Sequence, residues 1–300
     1  MSNLNKTPEQ INRSVGQLVK KAERAIAKRY ANTLNEVRAE LAKYYEQYEQ
    51  GGVLTYAEMA RYNRLNRFIE YLDELLKTNH SELKTVIYDI LGESYKEGYY
   101  LTAWATETDT LSKLSYAAVK PETIIKMIEN PISGLTLNHR LEKLRSEIVW
   151  KVQQEVTQGL VQGEAYGTMA KRLKESFEGD VAKSMRVVRT EAHRVTEQSK
   201  HDSAVHATKN GVIMMKEWGS SQDERVRSSH KHLDGKKLQM DENFRGKYGT
   251  GPAPGQLGHP AEDINCRCVL FYSVEAIQRP DVKELEDMSF EEWRKERVHL

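Results

Sequence analysis

Two cysteines, Cys266 and Cys268, are the only thiols in the 300-residue chain, and they stand two positions apart. Thiolates bind zinc when both sulfurs reach one ion at about 2.3 Å. A Cys-x-Cys step puts both side chains on one face of an extended segment, where a slight bend brings the sulfurs together. A disulfide is less comfortable, because alternate strand Cα atoms lie near the upper limit for bridging, close to 7 Å. A mononuclear zinc site needs two more donors. His230 leads, with His232, Asp234 or His259 as candidates for the fourth position. The competing reading is plainer: two small residues in a buried strand and histidines in a loop.

Other polar residues gather near these. Asp223, Arg225 and Arg227 precede His230, and Arg189 and Glu191 fall on a helix expected to pack beneath. An arginine–carboxylate network clamping an irregular module accounts for them. An enzymatic reading would make Glu191 or Asp223 a general base and His230 a general acid or metal ligand. Spacing assigns no reaction, and the chain has no phosphate-binding glycine loop, nucleophile elbow or HExxH motif. His193, His201 and His206 share one helix at offsets of eight and five, which does not favour a common site; they read as surface or packing residues.

The elements that must position these groups are mostly helical. Thr7-Pro8-Glu9-Gln10 reads as a helix start, with Thr7 as cap. Apolar residues at Ile26, Tyr30, Leu34, Val37, Leu41, Tyr44 and Tyr48 draw one stripe along a helix of about 40 residues. Gly51-Gly52 stops it. Thr55-x-x-Glu58 restarts a helix, with Leu54 and Met59 as a hydrophobic staple. A third is expected after Asn79-His80-Ser81, carrying Tyr95, Tyr99 and Tyr100 as packing residues. Lys120-Pro121 breaks the chain. A short helix over 122–129 follows, then a stripe from Leu141 to Leu160. Gly179 is expected to separate two further helices, the second running from about Asp180 to Lys209. Asn210-Gly211 ends it, and 212–218 and 268–272 read as strands of a small sheet. The expectation is therefore a mainly α protein with a small α+β module near the C-terminus. Its segments are a long-helix region 1–120, a helical middle 121–211, the module with its Gly/Pro-rich loop 212–280, and a charged tail 281–300.

Composition sets bounds. With 45 basic and 44 acidic side chains the net charge is +1, which gives nucleic-acid binding no whole-chain support. No apolar run approaches the roughly 20 residues that span a bilayer, and the N-terminus lacks the apolar core of a secretion signal. Two cysteines make no disulfide framework, so a reducing, cytoplasmic origin is expected.

Taken in order, Arg189-Thr190-Glu191, Trp218, Asp223-x-x-Val-Arg227-x-x-His230-x-x-Leu233-Asp234-Gly235, the acidic turn ending in Phe244, and Asn265-Cys266-Arg267-Cys268 resemble the Mu F-like head morphogenesis domain, found in minor head (minor capsid) proteins of tailed bacteriophages. The resemblance covers roughly residues 140–272. It implies a virion component of low copy number that associates with the portal and procapsid or scaffold components, and that influences DNA packaging or ejection. His230, Cys266 and Cys268 match family positions that look like metal ligands, whereas His259 lies in a stretch of variable form. The resemblance brings no catalytic residues. The domain also occurs fused to toxin domains; with about 30 residues after the motif, none is expected here. Two alternatives stand beside it: a zinc-dependent nuclease or toxin-like effector, and a protein bound to the packaged genome. Any DNA contact is expected to be weak, local and steeply salt-dependent.

Overall fold

A computed structural model describes residues 2–131, 134–277, 285 and 288–298. Its helices are α1 (Asn3–Tyr48), α2 (Tyr56–Ala60), α3 (Arg64–Thr110), α4 (Pro121–Glu129), α5 (Leu137–Gln162), α6 (Tyr166–Lys209), α7 (Ser228–Lys231), α8 (Pro260–Asp263) and α9 (Phe290–Arg297). The strands are β1 (Val212–Gly219), β2 (Lys237–Gln239), β3 (Phe244–Arg245), β4 (Thr250–Gly251) and β5 (Val269–Ile277). The expected class, mainly helical with a few short strands near the C-terminus, is what the chain adopts. Two compact units interleave along it. One comprises 1–20, 88–137 and 189–300, the other 21–87 and 138–188. Both are discontinuous because α1, α3 and α6 each contribute residues to the two.

The second unit is held by one apolar core. Leu34, Val37, Leu41 and Tyr45 of α1 pack with Phe68, Leu72 and Leu76 of α3, Val152 and Val156 of α5, and Met169, Leu173 and Phe177 of α6. The stripe read along α1 supplies its share through residues three and four apart, the spacing that keeps side chains on one helix face. Polar ties mark the margins. Arg145 pairs with Asp73 at 2.6 Å, and the Tyr45 hydroxyl donates to the Glu164 carbonyl at 2.7 Å.

Helix boundaries differ from the sequence expectation at four places. α1 begins at Asn3, not beyond Thr7. Its first amides are capped from far along the chain: the Asp109 carboxylate accepts from Asn3 N at 2.8 Å and Leu4 N at 2.9 Å. Thr7 instead turns its hydroxyl back to the Asn3 carbonyl, 2.8 Å away. Thr55 does cap α2, accepting from Glu58 N at 3.3 Å, but that helix stops after five residues. Tyr62 and Asn63 then adopt left-handed backbone, with φ of 52° and 59°, and α3 starts at Arg64. From there α3 runs unbroken through Asn79-His80-Ser81, because Asn79 turns its amide back to the Leu75 carbonyl at 3.0 Å inside the helix. α6 likewise runs through Gly179. A helical glycine costs only about 1 kcal/mol relative to alanine. The adjoining Asp180, fully buried, holds Lys151 and Lys183 at 3.4 Å each.

In the first unit, β1 is the centre of a three-stranded antiparallel sheet ordered β2-β1-β5. Both strands read from the sequence are present; the three short ones, β2, β3 and β4, carry too few residues to show a period. Trp218, Met214 and Val212 of β1 and Leu270 and Tyr272 of β5 face a core shared with Ala204 and Ala207 of α6. Tyr95, Tyr99 and Tyr116 form an aromatic cluster sealed by hydrogen bonds, Tyr95 to Asp202 at 2.7 Å and Tyr116 to the Ser203 carbonyl at 2.8 Å. Tyr95 and Tyr99 are packing residues, as expected, as is the buried Tyr100 beside them, and Tyr116 joins them. Of the charged tail from 281, residues 285 and 288–298 are described, and they include α9. Its Trp293 is buried, and the indole N–H donates to Glu107 at 2.6 Å. A full capping box between Ser289 and Glu292 starts α9. Ser289→Ala is expected to cost about 1 kcal/mol, read as a lower midpoint of chemical unfolding.

Candidate functional site

The Cys-x-Cys segment precedes β5 directly, and α7 sits after the turn that leaves β1. Antiparallel pairing sets Trp218 opposite Leu270 and Gly219 opposite Val269, which brings the end of β1 to the start of β5. The chain then folds back through Gly235, whose N–H donates to the Trp218 carbonyl at 2.8 Å and whose φ of 73° suits glycine. His230 is thereby carried over the sulfurs. Its Nδ1 lies 3.4 Å from Cys268 Sγ and 3.7 Å from Cys266 Sγ. These three donors all lie within 4.8 Å of one another, the one such metal-competent group among the described residues. All three side chains are buried.

The other ring nitrogen meets a carboxylate. His230 Nε2 lies 2.9 Å from Glu262 Oε2, close enough for charge pairing but too bent for a well-formed hydrogen bond. Glu262 is 1% exposed, and burial opposes its charge. Its donors outweigh that: the Ser229 hydroxyl at 2.9 Å, with Lys247 N at 2.8 Å and Tyr248 N at 3.1 Å, hold its pKa below the usual carboxylate range. Glu262 was not read from the sequence. The signal that would have found it is the short helix start His259-Pro260-Ala-Glu, with proline at the first helical position and acids in the first turn.

The two thiols share a proton unequally. Cys266 donates toward Cys268, so the Cys268 thiol is pulled down into the thiolate range while Cys266 is pushed up. His230 and the Trp218 indole also favour the Cys268 thiolate. Trp218 packs edge-on to His230 with ring centres 5.3 Å apart, and Phe244 packs against its other side at 5.1 Å. Thiolate, imidazole and carboxylate in line would suit a nucleophile with its base. Exposures of 1–4% at His230, Glu262, Cys266 and Cys268 leave a substrate no approach to that sulfur.

The three candidates for a fourth ligand do not join the group. His232 and Asp234 are exposed, and Asp234 is engaged by Ser220 N at 2.7 Å and by Gln222. His259 caps α8, its Nδ1 accepting from Ala261 N at 3.2 Å, and stacks on Tyr248. The remaining motif residues form the clamp. Asp223 grips Arg267 in a two-pronged pair at 2.6 and 2.7 Å, while Arg227 donates to the carbonyls of Glu262 and Ile264. Thr190 accepts from Asn265 N at 3.3 Å, and Asn265 holds a left-handed φ of 57°. Leu233 is buried with Phe244. Glu191 pairs with Arg194 at 2.9 Å, both out of solvent. The structure thus gives Glu191 and Asp223 arginine partners, not the position of a general base. Arg189 lies on the same helix as Glu191.

Two buried carboxylates unread in the sequence organise the rest. Asp263 accepts from Leu257 N, Gly258 N and His259 N at 2.8–3.1 Å, folding the Gly/Pro-rich loop around itself. Gly251 belongs to that loop, and a Cβ there would run into the Gln256 carbonyl. Glu197 of α6 accepts from Lys200 Nζ at 2.8 Å and from Leu270 N of β5 at 2.8 Å. His193 and His201 are packing groups whose burial drives their pKa values down, while His206 meets the Leu114 carbonyl at 2.7 Å.

Comparison with known proteins gives the following. The family described as Phage Mu protein F like protein matches residues 150–271. The Minor head protein GP7 of Bacillus phage SPP1 is 33% identical over 268 residues, which cover 89% of this chain and 87% of that protein. An NAD(+)–arginine ADP-ribosyltransferase EFV of Enterococcus faecalis is 25% identical over 305 residues, covering 99% of this chain but 62% of that protein. A Haemophilus influenzae protein of uncharacterised function is 29% identical over 146 residues, 47% of this chain. No solved structure matches.

Proposed function

The chain belongs to the Mu F-like minor head proteins of tailed bacteriophages, and from that premise we propose that it acts in the assembling head in contact with the portal. Head morphogenesis and a place in the virion, after assembly in the host cytoplasm, follow from the family itself. The observation that carries this is the 33% identity to a minor head protein, extending over 89% of one chain and 87% of the other. The relationship places the chain among structural head proteins rather than enzymes. The transferase name belongs to a relative of which this chain matches 62%, so that activity stays with that protein. Among the described residues no helix is long and apolar enough to cross a membrane.

Portal contact, and through it an influence on packaging or ejection, is the finer step. The residue-level resemblance supports it, and so does the physical character of the helices. α1, with 46 residues, extends about 70 Å at 1.5 Å per residue, and α3 with 47 residues is as long. Such elements provide reach and surface. Contact with procapsid or scaffold components belongs to the same reading, and any contact with DNA is weak and local at a net charge of +1. Co-expression with the tagged portal protein of the same phage is the test. This chain is expected to elute with the portal and not with a tagged unrelated oligomer. Elution of the portal alone, at low as well as physiological salt, would remove portal contact from the reading while leaving family membership intact.

A further inference from the structure

We propose that Cys266, Cys268 and His230 bind one zinc ion as a buried staple, with Glu262 as the residue that positions the imidazole. The argument begins with distances. Zinc bonds of about 2.3 Å to sulfur and about 2.0–2.1 Å to nitrogen, set at tetrahedral angles, place sulfur and nitrogen roughly 3.6 Å apart. The two sulfurs stand 3.4 and 3.7 Å from His230 Nδ1. Both edges therefore have the length a tetrahedral ion would impose.

Hydrogen bonding alone accounts poorly for the same geometry. A neutral imidazole has one acceptor nitrogen with one lone pair, and here two sulfurs converge on it. A metal ion at the common focus satisfies both sulfurs and the nitrogen together. The ring is oriented for that role. Glu262, 2.9 Å from Nε2, favours a proton on Nε2 and leaves the Nδ1 lone pair facing the sulfurs. Ligating histidines characteristically carry such a carboxylate on the far nitrogen. Glu262 is not itself a ligand: Oε1 accepts two backbone amides, and Oε2 meets Ser229 and His230. Among the described residues no fourth donor reaches the cluster, so the fourth vertex is assigned to a solvent oxygen.

The ion would tie α7 to the start of β5 across 36 positions of chain. That interval includes β2, β3, β4 and the Gly/Pro-rich loop, whose regular structure is sparse. Metal affinity spent on closing such a loop becomes folding free energy of the module. This staple is independent of portal contact.

The test uses the full chain, produced without a polyhistidine tag in zinc-supplied cells, with elemental analysis of the folded protein and its intact mass. One zinc per chain is expected, with the mass of two reduced thiols. Cobalt exchanged into the site should give a sulfur-to-metal charge-transfer band and the intense visible absorption of tetrahedral cobalt. Cys268→Ser and His230→Ala should each lose the metal. Glu262→Gln, which keeps the shape of the side chain, should weaken zinc about 10–100-fold in competition with a chromophoric chelator. A folded wild-type protein that carries no metal and takes up neither zinc nor cobalt overturns the proposal. So does a mass two hydrogens short, which marks a Cys266–Cys268 disulfide, or a His230→Ala protein that keeps its full zinc. The wild-type measurement decides the matter even where a variant fails to fold.

Discussion

Glu197→Ala is expected to lower the stability of the protein by about 3–5 kcal/mol, the cost of leaving a buried charge without its partner. Glu197 is 1% exposed, and Lys200, equally out of solvent, places its ammonium 2.8 and 3.0 Å from the two carboxylate oxygens. The same carboxylate accepts from Leu270 N at 2.8 Å. β5 is an edge strand of the sheet, so this amide has no strand partner on its outer side. Alanine removes both satisfactions and strands an ammonium beside an orphan N–H. Urea unfolding monitored by tryptophan fluorescence reads the loss. A second measurement separates charge from packing: Glu197→Leu combined with Lys200→Met should recover much of it, because the double variant leaves no buried charge. A loss under 1 kcal/mol in the single variant would show that water reaches Lys200.

Acid is expected to destabilise the protein through His201. Burial, reinforced by the nearby Lys216 ammonium, drives the His201 pKa down to about 4. The unfolded chain titrates near the ordinary 6.5, so between those values it binds more protons than the folded one. Stability must then fall as pH drops from about 6.5 to about 4, by up to about 3 kcal/mol from this one group. His201→Asn should flatten that part of the curve relative to wild type. The difference between the two proteins is the informative quantity, since His80 and His193 are shifted in the same direction. Lys216, buried with its ammonium donating to the carbonyls of Met240 and Pro252, has a pKa lowered to about 8. Its penalty is therefore relieved above pH 8, outside the acid window. Parallel curves for wild type and His201→Asn from pH 7 to 4 would contradict the assignment.

What the sequence discloses here follows the range of the interactions. Regular apolar spacing is local, so the α1 stripe and both longer strands were legible. The Thr55 cap was legible for the same reason, needing only Glu58 three residues on. The start of α1 was not, since its cap is Asp109, more than a hundred positions away. The break at Tyr62-Asn63 was missed because neither residue is glycine, although both take positive φ. At the cluster, the residue types named Cys266, Cys268 and His230, and folding brought those three together. His232, Asp234 and His259 were equally suitable by type; the turn at Gly235 directs the first two elsewhere, and His259 is taken up as the cap of α8. Glu262 and Glu197 act through space on residues that sequence distance does not connect to them.

Quantitative mass spectrometry of purified phage particles and procapsids, calibrated against the major capsid protein, tests the central claim most directly. As a minor head protein this chain should be present in both, at a small fraction of the major capsid protein's copy number. Its absence from particles and procapsids alike, with the intact chain accumulating free in the infected cell, would contradict the account.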